Sequence, residues 1–83
     1  PATSPLITNH HTNWRMRAID SFDRVRPEHL HYSSVISVSR ADVKQVREIM
    51  AGAIQQIRAI VRASKDEACF SYALDLFEIG GES

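Results

Sequence analysis

The sequence predicts a small α+β domain, in which a long amphipathic helix is flanked by two short strands and preceded by a separate N-terminal helix. Apolar residues with helical spacing run from Ser39 to about Ser64, and a segment with strand-like character lies against each end of that run. The 83 residues suffice for one domain, close to the lower limit at which a single core is stable. We therefore expect one small domain over residues 14–79, with a short tail at 80–83.

Residues 1–13 are mostly polar and turn-forming, and we interpret them as a flexible arm or linker. A helix is expected to begin near Trp14, capped by residue 12 or 13. Trp14 and Phe22 would then share one face. The helix should end by Arg26, because Pro27 disfavours helical geometry in the residue before it.

The first predicted strand covers residues 32–38, which alternate with period two and are rich in β-branched side chains. Ser39 follows it and stands three residues before Asp42. This spacing is a variant of the capping box, in which Asp replaces the usual Glu. The long helix is therefore expected to start at Ser39.

The long helix carries apolar residues at alternating spacings of three and four, with further apolar residues beside them. These are Val43, Val46, Met50, Ala53, Ile57 and Ile60, flanked by Ile49, Ile54 and Val61. So broad an apolar face is typical of a helix that lies on a sheet or on another helix. A basic stripe on the roughly opposite side is interpreted as a solvated face rather than a phosphate-binding one. It consists of Lys44, Arg47, Arg58 and Arg62. Gly52 lies in mid-helix at a cost of about 1 kcal/mol relative to alanine, and we expect another backbone to approach it closely.

The second predicted strand covers residues 68–79 and is ended by two glycines. Two strands joined by one helix should be parallel, and two strands alone make a poor sheet. We therefore expect a partner or a second copy to complete the structure, in a homodimer whose sheet extends or whose long helices pair. The residues expected in the core or interface are Trp14, Phe22, Val43, Met50, Ile57, Phe70, Tyr72, Leu74 and Leu76.

The sequence contains no arrangement of side chains that would make an enzyme, and no cofactor is expected. His29 and His31 are the candidates for metal ligands, but their spacing matches no established ligand pattern, and a surface pair of histidines is the preferred interpretation. Cys69 is the single cysteine, which excludes an internal disulfide and suits a reducing cytoplasm. Beside Phe70 it is best explained as a small buried apolar side chain.

The charges balance, with ten basic and ten acidic residues, so no overall field draws this chain to nucleic acid. No apolar run approaches the ~20 residues of a membrane span. We expect a cytoplasmic protein that binds neither a membrane nor, through this segment, nucleic acid.

Three stretches of the chain carry a family resemblance: residues 30–39 (LHYSSVISVS), the helix that follows, and residues 72–77 (YALDLF). Together they resemble the C-terminal region of an uncharacterised bacterial family of transcription-regulator-like proteins. Proteins of that family join a helix-turn-helix-like N-terminal segment to a conserved C-terminal domain of unknown function. The resemblance covers roughly residues 14–79, and it implies that a DNA-binding domain lies upstream in the full protein.

Three functions remain open from the sequence. The first is a non-enzymatic dimerisation or effector module of a bacterial transcriptional regulator. The second is a sensor of a small anion or a peptide, with Ser37, Ser39 and Arg40 as contacts, because free amides at a helix N-terminus favour an anion. The third is direct binding of nucleic acid, against which the neutral charge stands.

Overall fold

The computed structural model describes residues 5–80, which form two α-helices and one short 3-10 helix. Helix α1 is Pro5–Asp20, the 3-10 helix is Ser21–Asp23, and helix α2 is Arg40–Ala63. The other described residues adopt no regular secondary structure. No helix within residues 5–80 is both long enough and apolar enough to cross a membrane.

The predicted α+β class is wrong, because the part of the chain that the structure describes is all-helical and contains no strand. Residues 32–38 and 68–79 are the segments predicted as strands. A strand is stable only when its backbone N–H and C=O groups pair with those of a neighbouring strand. Backbone hydrogen bonds outside the helices, among residues 5–80, join only residues three or four apart. The two segments therefore have the alternating side chains typical of strands, but their backbones do not pair with a neighbouring strand as a sheet requires.

The chain divides into two compact units. Of the described residues, the first contains 5–33 and Phe70–Asp75, and the second contains Ser34–Cys69 and 76–80. Helix α1 and the 3-10 helix belong to the first unit, and helix α2 belongs to the second. The single domain over residues 14–79 stays a prediction.

Helix α1 begins at Pro5, nine residues before the start expected from the sequence. Proline suits a first helical position, where its missing N–H is not needed. Thr12 lies inside the helix, and its hydroxyl donates a hydrogen bond to the carbonyl of Thr8 at 2.9 Å instead of capping a helix start. Most of the predicted arm is thus helical, while its residues 1–4, like residues 81–83 of the tail, lie outside the described part.

The first helix ends before Arg26, as predicted, but earlier than Pro27 requires, because α1 stops at Asp20 and the 3-10 helix at Asp23. After the 3-10 turn the backbone becomes extended at Arg24, with φ −113° and ψ 94°. The amide of Arg24 donates to the carbonyl of Ser21 at 3.0 Å and closes the turn. The backbone is therefore no longer helical when it reaches Arg26.

The limits predicted for the long helix are confirmed too. The Ser39 hydroxyl accepts a hydrogen bond from the amide of Asp42 at 3.0 Å, which satisfies one of the free N–H groups of the first turn. The Asp42 carboxylate accepts from Gln45 Nε2 at 3.3 Å. At the other end Ser64 is extended, and its amide donates to the carbonyl of Val61 at 3.1 Å.

Candidate functional site

Exposed aromatic side chains are the most unusual feature of this chain. All six are exposed, from 37% for Trp14 to 86% for Tyr32. No side chain within residues 5–80 reaches full burial. Large exposed apolar areas mark places where a protein binds something else. The candidate site is therefore a surface rather than a pocket.

The residues predicted for the core or interface divide between the two units. Trp14, Phe22, Phe70, Tyr72 and Leu74 belong to the first unit, and Val43, Met50, Ile57 and Leu76 belong to the second. The three on helix α2 are half-buried and the other six are exposed. Their role in an interface stays a prediction.

Helix α2 shows the apolar face that its sequence predicts. The centre of the face is half-buried, at Val43, Val46, Met50, Ala53 and Ile57. Its C-terminal seam residue Ile60 is 70% exposed, and the flanking residues Ile49 and Val61 are 72% and 63% exposed; we call these three residues the exposed flank. A Cβ added at Gly52 would meet nothing within 4 Å, so no described backbone approaches that glycine closely. The face is thus only partly covered within one chain.

An ion pair joins helix α1 to residues 70–75 within the first unit. Arg15 Nε donates to Asp75 Oδ2 at 2.6 Å, and its Nη2 donates to Asp75 Oδ1 at 2.7 Å. Hydrogen bonds from Arg15 hold the pKa of the Asp75 carboxyl below its ordinary value. Arg15 also donates to the carbonyls of His11 at 3.2 Å and Leu74 at 3.4 Å. The guanidinium is therefore fixed in position by four acceptors.

A second ion pair lies at the N-terminus of helix α2, where the sequence suggested an anion site. Arg40 Nη1 and Nη2 donate to the two carboxylate oxygens of Glu78 at 2.9 and 2.8 Å. These hydrogen bonds lower the pKa of Glu78. Ser39 uses its hydroxyl as the helix cap, and Ser37 is exposed. Of the three candidate anion contacts, Arg40 is thus already bound to a carboxylate of the same unit.

The two candidate metal ligands lie near each other in the first unit. The ring centroids of His29 and His31 are 6.2 Å apart, and the ring of Phe22 meets that of His31 edge-on at 4.7 Å. The Ser21 hydroxyl donates to the carbonyl of Ala18 at 2.7 Å, so at 3.3 Å it accepts from His31 Nε2. No group of three or more metal-ligating side chains occurs within residues 5–80.

Trp14 is among the residues predicted for the core or interface, and its ring contacts neighbours on its own helix. The guanidinium of Arg17 lies over the ring, with Cζ 5.1 Å from the centroid, and His10 meets it edge-on at 6.4 Å. Such a cation–π contact is worth about 0.5–1 kcal/mol at an exposed site. It covers part of the tryptophan and leaves 37% of the residue exposed.

The sequence did not indicate which residues form the ion pairs. Arg15 and Asp75 are 60 positions apart, and Arg40 and Glu78 are 38 apart. A signal existed only for Asp75, a carboxylate in an otherwise apolar segment that needs a partner such as a helix arginine. Glu78 had no such signal, because nothing in the sequence distinguishes it from an ordinary solvated carboxylate.

Comparison with known protein families gives a match over nearly the whole chain. The model of a family described as a domain of unknown function (DUF4423) matches residues 1–79. This range includes the residues that carry the resemblance noted in the sequence. Neither a curated protein nor a solved structure matches the chain.

Proposed function

The chain belongs to the DUF4423 family, and we propose that it is a non-enzymatic self-association module, the dimerisation or effector part of a bacterial transcriptional regulator. The observation that carries this proposal is the apolar face of helix α2, which a single chain leaves partly exposed. A second copy is the partner that would cover it in a homodimer. Of the two dimer arrangements expected from the sequence, we propose the one in which the long helices pair. The other needs a sheet, and the described residues form no sheet.

The energetic argument rests on the exposed flank of the face. Full burial of a large aliphatic side chain contributes about 1.5–3 kcal/mol. Ile49, Ile60 and Val61 each keep well over half of their surface in water, so most of that free energy is not gained within one chain. Dimerisation would gain it in both copies at once.

The context of a regulator is supported by the family resemblance and by charge. A net charge of zero gives this segment no general attraction for DNA, so DNA contact is assigned to an upstream domain of the full protein. A dimerisation module would then hold two DNA-binding domains at the spacing of two half-sites. This function places the protein in the cytoplasm.

Light scattering coupled to size exclusion, over a concentration series, tests the proposal. A dimer at low micromolar concentration is the expected result. Ile60→Glu should shift the equilibrium towards monomer, because Ile60 lies on the exposed flank, whereas Arg62→Glu on the polar side should leave the mass unchanged. A well-folded monomer at high micromolar concentration would contradict self-association.

A small-ligand sensor is the second candidate, and one contact favours it. Arg40 already binds both oxygens of a carboxylate, which is the geometry that an incoming anion would use. An anion would have to displace Glu78, so Glu78→Gln should strengthen binding. Thermal shift with inorganic phosphate and with short acidic peptides tests this, and the absence of stabilisation in both the unchanged chain and Glu78→Gln would reject the sensor.

A further inference from the structure

We infer that helix α2 pairs with helix α2 of a second copy in parallel and in register. This inference rests on the proposed self-association and adds the orientation of the two helices. The occupant of the apolar face is thus a second copy of this chain.

The apolar face has the seven-residue repeat of a two-helix seam. The a positions are Val43, Met50 and Ile57, and the d positions are Val46, Ala53 and Ile60. The adjoining g positions are Asp42, Ile49 and Gln56, and the adjoining e positions are Arg47, Ile54 and Val61. Arg47 therefore borders the apolar face and does not lie opposite it, where the basic stripe predicted from the sequence had placed it. The helix of 24 residues is about 36 Å long, enough for all six seam positions.

Parallel pairing brings each g residue opposite the e residue five positions later on the other helix. Asp42 then faces the partner's Arg47, which unites opposite charges. Ile49 faces the partner's Ile54, so two apolar side chains meet near the middle. Gln56 faces the partner's Val61, which is the one g–e pair of the parallel arrangement that joins a polar side chain to an apolar one. Twofold symmetry provides each of these pairs twice.

Antiparallel pairing matches these residues less well. With Val43 opposite the partner's Ile60, the g positions face g positions and the e positions face e positions. Arg47 would then lie against the partner's Ile54, and Ile49 against the partner's Gln56. Each of these contacts joins an apolar side chain to a polar or charged one, which costs desolvation without a compensating partner. Charge and polarity therefore favour the parallel arrangement.

The two charged groups are available for this contact. Arg47 forms no ion pair with any described residue. The Asp42 carboxylate accepts a hydrogen bond at 3.3 Å from Gln45, one turn along the same helix, and is exposed. Neither group has to leave an ion pair in order to meet its counterpart.

Disulfide trapping distinguishes the two orientations. Val43→Cys and Ile60→Cys are each made in the Cys69→Ser background, so that only the new thiols can react. In a parallel pair each variant meets its own copy and should form a disulfide-linked dimer under mild oxidation. In an antiparallel pair the identical cysteines would be about 25 Å apart, well beyond the span of a disulfide.

The same samples separate failure of the inference from failure of the proposed function. If light scattering shows a dimer and only a mixture of the two variants crosslinks, the helices are antiparallel and the parallel register is wrong. If a dimer shows no crosslink in any sample, α2 is not the seam, although self-association stands. A monomer by light scattering would overturn both.

A charge exchange provides an independent test. Arg47→Glu places two acidic residues opposite each other at both symmetric sites, and it should weaken dimerisation about tenfold. Adding Asp42→Lys should restore most of the affinity by reversing the pair. Arg58→Glu, which lies off the seam, is the matched control. Equal effects of Arg47→Glu and Arg58→Glu would overturn the assigned pair.

Discussion

Helices α1 and α2 differ in how their apolar residues are distributed, and this decides what each can bind. In α1 the apolar side chains are spread around the helix, and its contacts run through Arg15, Trp14 and two histidines. In α2 the apolar residues occupy one side. A helix without a defined apolar face depends on individual polar contacts. A helix with its apolar residues on one side instead offers an apolar surface against which another helix can pack.

The ion pairs extend this comparison. Arg15 has a side chain that is 30% exposed and contacts two backbone carbonyls as well as Asp75. The side chain of Arg40 is 79% exposed and binds Glu78. The first arginine is thus held by several groups within its unit, whereas the second pair is largely solvated. Loss of the Arg15 pair should therefore matter more than loss of the Arg40 pair.

The largest expected effect is that of Ile57→Asp on helix α2. An unpaired charge at a half-buried position in the middle of the apolar face should cost about 3 kcal/mol or more of folding or association free energy. Circular dichroism and light scattering measure the two losses. Gln55→Asp, on an exposed polar position, serves as control. An unchanged Tm and mass in Ile57→Asp would show that the apolar face of α2 contributes to neither folding nor association.

Ser39→Ala should come next, with a loss of about 1 kcal/mol in the free energy of unfolding. The change removes the hydroxyl that accepts from the amide of Asp42. Denaturant unfolding followed by helical circular dichroism measures it. Ser64→Ala at the other end is the control, because the cap there is made by a backbone amide. Equal losses in the two variants would show that the side-chain cap is not what stabilises the first turn.

Gly52→Ala should raise the free energy of unfolding, by about 0.5–1 kcal/mol. Alanine has the higher helix propensity, and nothing lies within 4 Å of the added methyl group. Thermal unfolding measures the gain. Gly52 occupies a c position off the seam, so the dimer affinity should not fall. A weaker dimer would show instead that another helix approaches Gly52.

The smallest effect concerns Arg15 and depends on pH. The pKa of Asp75 is lowered from its ordinary value of 3.8, so the ion pair stabilises the chain fully above that pH. The contribution disappears as the pH falls through the lowered value. Because the Asp75 side chain is 53% exposed, water screens the pair and its worth is about 1 kcal/mol or less.

Carboxyl NMR titration tests this prediction. Arg15→Gln should return the pKa of Asp75 towards 3.8, and the stability difference between variant and parent should vanish in acid. Arg17→Gln changes an arginine of the same helix that lies over Trp14, and it should leave the titration of Asp75 unaltered. An identical Asp75 pKa in all three chains would mean that the ion pair does not persist in solution.

The sequence predicted helix α2 well because its signals are local. A cap at Ser39 and a repeat of apolar residues involve side chains and backbone groups within a few positions of each other, so a short stretch of sequence is enough to predict them. The first helix was predicted too short, since residues 5–13 carry weak helix formers and turn formers. The turn propensity of these residues was misleading. Pro5 lies at the first helical position, where its missing N–H is not needed, and the Thr12 hydroxyl bonds to the carbonyl of Thr8 within the helix.

The strands and the ion pairs could not be derived in the same way. A strand needs a partner elsewhere in the chain, and the alternation in residues 32–38 says nothing about whether one exists. Arg15 had other possible acidic partners closer in sequence, including Asp20 and Asp23. Its pairing with Asp75 depends on where residues 70–75 lie, which no local pattern encodes.

The Arg40–Glu78 pair also affects the electrostatics of the helix itself. Helix dipoles are positive at the N-terminus, so an arginine in the first turn is repelled by the helix that it begins. Glu78 places a carboxylate beside that arginine, and Asp42 adds a second acidic group in the same turn. The residue that binds Arg40 therefore also offsets the macrodipole, and part of the charge balance at the start of α2 comes from a carboxylate that follows the helix in sequence.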